Sequence, residues 1–136
     1  MPPAERPVHE QTFEPQPADI DELGHVNNTV YLRWVQDMAT AHWRVLAPAE
    51  DVERFVWVVL RHEIDYRRAS LLGETLIART WVGEPPKGAR FDRIVEIVGP
   101  DGGVRVAART TWAMLDRSTM RPLRVPRELA APFLGQ

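Results

Sequence analysis

Residues 19–48 read D-I-D-E-L-G-H-V-N-N-T-V-Y-L-R-W-V-Q-D-M-A-T-A-H-W-R-V-L-A-P, and the change of character inside this stretch decides the fold. From Val30 onward the apolar residues recur at helical spacing. Val30, Trp34, Met38, Ala41 and Val45 form one stripe, widened by Tyr31, Val35, His42 and Leu46. Residues three and four apart share a helix face, so this segment is predicted to be a long amphipathic helix that Pro48 ends. The half before it is polar: Asp19, Asp21, Glu22, Gly24, His25, Asn27 and Asn28 crowd against the helix start.

Beyond the helix the period changes to two. From Phe55 to Tyr66 one predicted face carries Val56, Val58, Leu60, His62, Ile64 and Tyr66; the other shifts from Trp57 and Val59 to Arg61, Glu63 and Asp65. Three more runs of strand character follow at residues 75–82, 89–98 and 104–115. The turns E-P-P-K-G and P-D-G-G join them, and such short turns predict antiparallel pairing. A short strand within 9–17, limited by Pro15 and Pro17, would be a fifth, and a short helical turn is expected after Pro126. One helix beside a sheet is an α+β arrangement. The sheet's other face is expected to carry Trp81, Trp112 and Trp57 or its neighbours; one helix cannot cover both faces, so a partner subunit or another sheet is expected to do so.

At 136 residues the chain suits one domain, drawn as residues 8–130 with flexible termini at 1–7 and 131–136. Net charge is −2 with scattered basic residues, which argues against nucleic acid as a partner. The absence of cysteine excludes disulfides, thiolate metal sites and a cysteine nucleophile, and fits a cytoplasmic location. No apolar run suggests a membrane span and the polar, proline-rich start has no signal-peptide core.

G-x-S-x-G, the P-loop and G-x-G-x-x-G are all absent, and His9, His25, His42 and His62 lack ligand spacing, so neither a metal nor a cofactor is expected. The polar stretch before the helix admits two readings. In one, Asn27 or Asn28 caps the helix, Asp21 and Glu22 favour its positive end, and Gly24 makes the turn. In the other, the free N–H groups of a buried helix start stabilise a carbonyl oxygen turning negative, beside a carboxylate that attacks or activates water.

The sequence D-I-D-E-L-G-H-V-N-N-T-V-Y resembles the D-x-D-x-x-G-H-V-N-N-x-x-Y motif of hotdog-fold acyl thioesterases, the 4-hydroxybenzoyl-CoA thioesterase-like family. I-D-Y-R-R-A-S-L-L-G-E resembles that family's I-x-Y-x-x-P-x-x-x-G-[DE] turn, and A-x-x-T-x-W-A-M-L-D with R-P-x-x-V-P resembles its last strand and tail. The resemblance implies a hotdog fold, an antiparallel sheet of about five strands wrapped around one long central helix. It implies an acyl-CoA thioesterase releasing free acid and CoA-SH, with coenzyme A as part of the substrate and acyl carrier protein as the other carrier. It also implies a homodimer or homotetramer with sites at the subunit interface.

Carried over by position, Asp21 matches the family's catalytic carboxylate, as nucleophile or general base, and the backbone N–H of Asn28 its oxyanion donor. His25 matches a histidine of the plant acyl-ACP thioesterase branch, whose asparagine two residues earlier is Leu23 here. Gly24, Asn27 and Tyr31 belong to the same motif and are expected at the substrate. Arg67, Arg68, Lys87 and Arg90 are candidates for the coenzyme A phosphates, since guanidinium forks suit that task. His42 is expected in the core, Asp37 at solvent or an interface, Glu63 and Asp65 in cross-strand pairs, and Asp19 and Glu22 in solvent. The alternatives are a hotdog dehydratase or hydratase, and a non-catalytic acyl-CoA-binding or sensing module.

Overall fold

The computed structural model describes residues 2–136. Strand β1 (His9–Phe13) leads through a 3-10 turn (Pro17–Asp19) and a loop into helix α1 (Asn28–Leu46). A short helix α2 (Ala49–Arg54) follows, then β2 (Phe55–Tyr66), β3 (Leu76–Val82), β4 (Arg90–Val98), β5 (Val104–Asp116) and helix α3 (Arg127–Leu134). The strands form one five-stranded sheet in the order β1-β3-β4-β5-β2, antiparallel throughout. α1 lies against one face of it, the α+β hotdog arrangement expected from the sequence.

α1 starts where Asn27 Oδ1 accepts the N–H of Thr29 (3.0 Å) and ends at Leu46, just before Pro48. Its apolar stripe makes the core. Val30, Tyr31, Trp34, Val35 and Met38 pack on Leu76 and Ala78 of β3, Val95 and Ile97 of β4, and Val106 and Ala108 of β5. Strand side chains alternate, so these residues all leave the sheet on the α1 side. A second cluster at the other end of α1 joins Phe55, Phe91 and Met114 to Leu129, Phe133 and Leu134 of α3, with Trp43 and Trp57 against it.

Three expectations are corrected. The strict alternation drawn for Phe55–Tyr66 is broken by a bulge at Leu60: Val59 pairs with Trp112, and Arg61 already pairs with Thr111. The extra residue swaps faces. Trp57 and Val59 therefore share the α1 face with His62, Ile64 and Tyr66, while Leu60 is half exposed (51%). Trp112 sits on that inner face as well, opposite Val59. Second, the fold extends beyond residue 130. Residues 131–134 complete α3 with Phe133 and Leu134 buried, and Arg6 donates to the carbonyls of Leu134 (2.9 Å) and Gly83 (3.3 Å). Met1 lies outside the described residues. Third, α2 was not anticipated; none of its residues is buried, so it has no apolar stripe to read. No helix among the described residues is long and apolar enough to cross a membrane.

Candidate active site

The D-I-D-E-L-G-H-V-N-N stretch folds into a tight loop closed by its own backbone. Asp21 N–H donates to the His25 carbonyl (2.8 Å), Gly24 N–H to the Asp21 carbonyl (3.1 Å), and Ile20 bridges Val26. Gly24 sits at φ +80°, a left-handed turn that a side chain would strain. The Asp21 carboxylate is held from inside this loop: Oδ1 accepts the N–H of Leu23 (2.9 Å) and of His25 (3.2 Å). That fixes the carboxylate's orientation while Oδ2 has no acceptor duty among the described residues.

Asp19, expected in solvent, is buried, and the correction has a plain cause. Its Oδ2 accepts Gln16 N–H (2.8 Å), its Oδ1 accepts Arg33 Nη2 (3.1 Å), and its carbonyl accepts Asn27 N–H (2.8 Å). Asp19 thus ties the 3-10 turn, the loop and α1 together. With Asn27 N–H engaged there and Thr29 N–H on the Asn27 cap, the N–H of Asn28 at the first position of α1 has no acceptor among the described residues. The first turn of a helix leaves such groups free, at its positive dipole end.

Against this loop lies the segment after β2. Val26 N–H donates to the carbonyl of fully buried Ser70 (2.9 Å). The segment is fixed in turn by Arg105, itself 5% exposed: Nη1 donates to the Ala69 carbonyl (2.7 Å) and to Glu74 Oε1 (3.1 Å), and Nη2 to Glu74 Oε2 (3.0 Å). This bidentate pairing holds the Glu74 carboxyl below the usual carboxylate range, and Arg105 is correspondingly raised by the Glu74 hydrogen bond.

Between loop and segment opens a cleft of about 370 Å³. It brings together Asp21, His25, Asn27, Asn28 and Tyr31 from the loop and helix with Arg67 and Arg68 from the segment. Gly24 shapes the loop and does not line the cleft. Burial pushes the Tyr31 hydroxyl pKa up, with Ser70 opposing. Arg68 is ion-paired with Asp101 (2.6 Å), and Arg67 makes no ion pair among the described residues. Lys87 and Arg90 are not brought in. They bridge one another in the β3–β4 turn, and Arg90 pairs with Ala113 whereas Tyr66 pairs with Val106. That separates them by seven residues along β5, roughly 24 Å at strand rise.

The sequence reading missed Tyr66, which lines the cleft with its hydroxyl 3.4 Å from the Asn28 carbonyl, and missed Arg105 as the anchor of the opposing wall. An arginine alternating with valine in V-R-V was the available signal for the second. His42 is buried as expected, its Nδ1 accepting from Arg93 (2.7 Å). Glu63 faces Arg109 across to β5 and also ion-pairs with Arg61 on its own strand.

A family model described as the thioesterase-like superfamily matches residues 15–133, and the chain belongs to that superfamily. The chloroplastic acyl-[acyl-carrier-protein] hydrolase FATB3 of Cuphea viscosissima is 31% identical over 75 residues, 54% of this chain but 18% of that protein. The chain therefore spans less than a fifth of the plant relative's length. Among solved structures it is similar to a thioesterase from Thermus thermophilus complexed with coenzyme A and Zn (22% identity, TM-score 0.80, covering 96% of this chain and 99% of that one). It is also similar to the DHNA-CoA thioesterase from Staphylococcus aureus (18% identity, TM-score 0.76, covering 86% and 80%). Likeness at these identities establishes the hotdog fold.

Proposed function

We propose that the protein hydrolyses an acyl-CoA thioester to the free acid and CoA-SH in the Asp21–Asn28 cleft. The observation that carries this is the pairing of an oriented carboxylate with an unused helix N-terminal N–H on one cleft wall. The thioester carbonyl accepts the N–H of Asn28, where the dipole of α1 favours charge developing on oxygen. Asp21 Oδ2 takes a proton from a water that attacks the carbonyl carbon; collapse expels the thiolate, which takes up a proton to give the thiol. His25 borders the same space and orients that water. The coenzyme A structure of the Thermus relative supports coenzyme A as the carrier.

The reading requires a second copy. β2 has β5 on one side and no strand on the other, leaving a twelve-residue edge open among the described residues. Open edges of that length invite pairing. A two-fold antiparallel pairing of β2 with its copy sets the Tyr66 end of one chain beside the Phe55 end of the other.

The test is Asp21→Asn in a thiol-release assay over a panel of acyl-CoAs. Expected is a loss of most turnover, at least ~100-fold for an acid–base group, with melting temperature and CoA affinity retained. Turnover near wild type would remove Asp21 from the mechanism. Single-turnover hydrolysis in H₂¹⁸O that places label in Asp21 would make it the nucleophile instead.

A further inference from the structure

The hairpin between β4 and β5, residues 99–103, reaches the Asp21 cleft through one ion pair. Asp101 Oδ2 accepts from Arg68 Nη1 (2.6 Å), and Arg68 lines the cleft. The two arginines that touch this hairpin are held very differently. Arg105 is buried and forks onto Glu74, which fixes it. The side chains of Arg68 and Asp101 are 56% and 46% exposed, and a pair in that much water is weak and exchangeable.

The hairpin is shaped around both guanidinium groups. Gly102 takes a left-handed φ of +83° in the turn, whereas Gly99 and Gly103 have no positive φ. They are glycine where an arginine passes: a Cβ on Gly99 would lie 2.5 Å from the Arg105 guanidinium, and one on Gly103 2.9 Å from Arg68 Nη1. The two ends of the pair differ in what they keep when it opens. Asp101 Oδ1 retains the N–H of Gly103 (3.1 Å) and the longer contact to Arg105 Nη2 (3.8 Å). The Gly103 N–H first, and then Arg68, hold the Asp101 carboxyl below the usual carboxylate range. The Arg68 guanidinium has no other partner among the described residues. Its main chain stays in place, because the N–H groups of Arg67 (2.8 Å) and Arg68 (3.2 Å) both donate to the Arg105 carbonyl. Only the side chain is free to move.

We propose that Asp101 is a displaceable counter-ion that holds Arg68 beside the cleft until a phosphate of the carrier takes its place, and so sets how tightly the carrier binds. A phosphate offers the guanidinium two parallel charge-assisted bonds, where Asp101 supplies one oxygen at bonding distance. The exchange leaves no charge bare, since Asp101 falls back on Gly103 and Arg105. Asp101 is a positioning residue, acting on substrate through Arg68, and the inference rests on the cleft being the carrier site.

The test is calorimetric titration of CoA-SH, which requires no turnover. Asp101→Asn keeps an acceptor for the Gly103 N–H and removes the charge. It is expected to tighten CoA-SH about two- to fivefold, the strength of an exposed ion pair, and to leave pantetheine, which lacks phosphate, unchanged. Arg68→Met is expected to weaken CoA-SH, and in that background the gain from Asp101→Asn should disappear. In acyl-CoA hydrolysis the same gain should appear as a lower KM with kcat unchanged. No binding of CoA-SH, unchanged or weaker binding in Asp101→Asn, an equal gain for pantetheine, or a gain that survives Arg68→Met overturns the proposal. Turnover lost in Asp21→Asn alongside an unchanged Asp101→Asn titration would sink this inference and leave the hydrolytic reading standing.

Discussion

Glu74→Gln tests the claim that an ion pair outside the cleft holds one of its walls. The substitution keeps the side-chain shape and removes the charge facing Arg105, whose side chain is only 6% exposed. Removing one partner of a fully buried pair costs roughly 3–5 kcal/mol, because the remaining charge is left uncompensated. Two features reduce that here: the Glu74 side chain is 23% exposed, and Arg105 keeps the Ala69 carbonyl (2.7 Å) and a longer contact to Asp101 (3.8 Å). About 2–3 kcal/mol is the resulting expectation, a fall in Tm of roughly 10 °C for a chain of this size. The pH dependence carries the sign. Glu74 titrates below its ordinary value near 4.5 in the folded chain, first because Arg105 donates to it. Its contribution is therefore complete above that value and is lost as pH falls through the depressed folded one. Melting curves of wild type and variant should converge at acid pH. Thiol release should fall too, since Ser70 in the anchored segment holds Val26 of the Asp21 loop. A variant melting within about 2 °C of wild type at neutral pH refutes the reasoning, whereas Glu74→Leu combined with Arg105→Met should recover most of the loss.

Asn27→Ala removes the cap on Thr29 N–H and should cost about 1 kcal/mol in urea unfolding, together with reduced turnover because the start of α1 frays beside Asn28. Met38→Ala, at a fully buried position (0% exposed), should cost roughly 2–5 kcal/mol by the same measurement without changing KM. His42 is lowered to about 3, first by burial and then by Arg93. Between about 3 and 6.5 the unfolded chain thus holds a proton the folded one refuses, so stability is full above that window and is lost as pH falls through it. His42→Gln keeps an acceptor for Arg93 and should flatten the fall of Tm with acid across that range.

Long-period features were legible before any coordinates. The stripe from Val30 to Leu46 can bury its apolar side only as a helix, and the two-residue alternation after Phe55 with tight turns at residues 83–88 and 99–103 leaves an antiparallel sheet as its outcome. The D-x-D-x-x-G-H-V-N-N motif was legible for a different reason, since capping and loop closure act between near neighbours. Asp21, Gly24 and His25 make the contacts of one short loop, all within four residues of Asp21.

What tertiary structure decided are the matters of register and of distant pairing. A single extra residue at Leu60 turns Trp57 and Val59 inward; alternation alone places them outside, because a bulge leaves no local trace in the side-chain pattern. Asp19 and Asp21 are equally acidic in the sequence, yet one is buried on Arg33 and the other lines a cleft. Arg105 meets Glu74 from 31 residues away, and Lys87 and Arg90 end at the far end of the sheet from Arg67. The sequence by itself determined the elements and the local geometry of the loop, since those depend on neighbours in the chain. Which charges are buried, which cations share a cleft and which faces the tryptophans occupy depend on strands that only the folded sheet brings side by side.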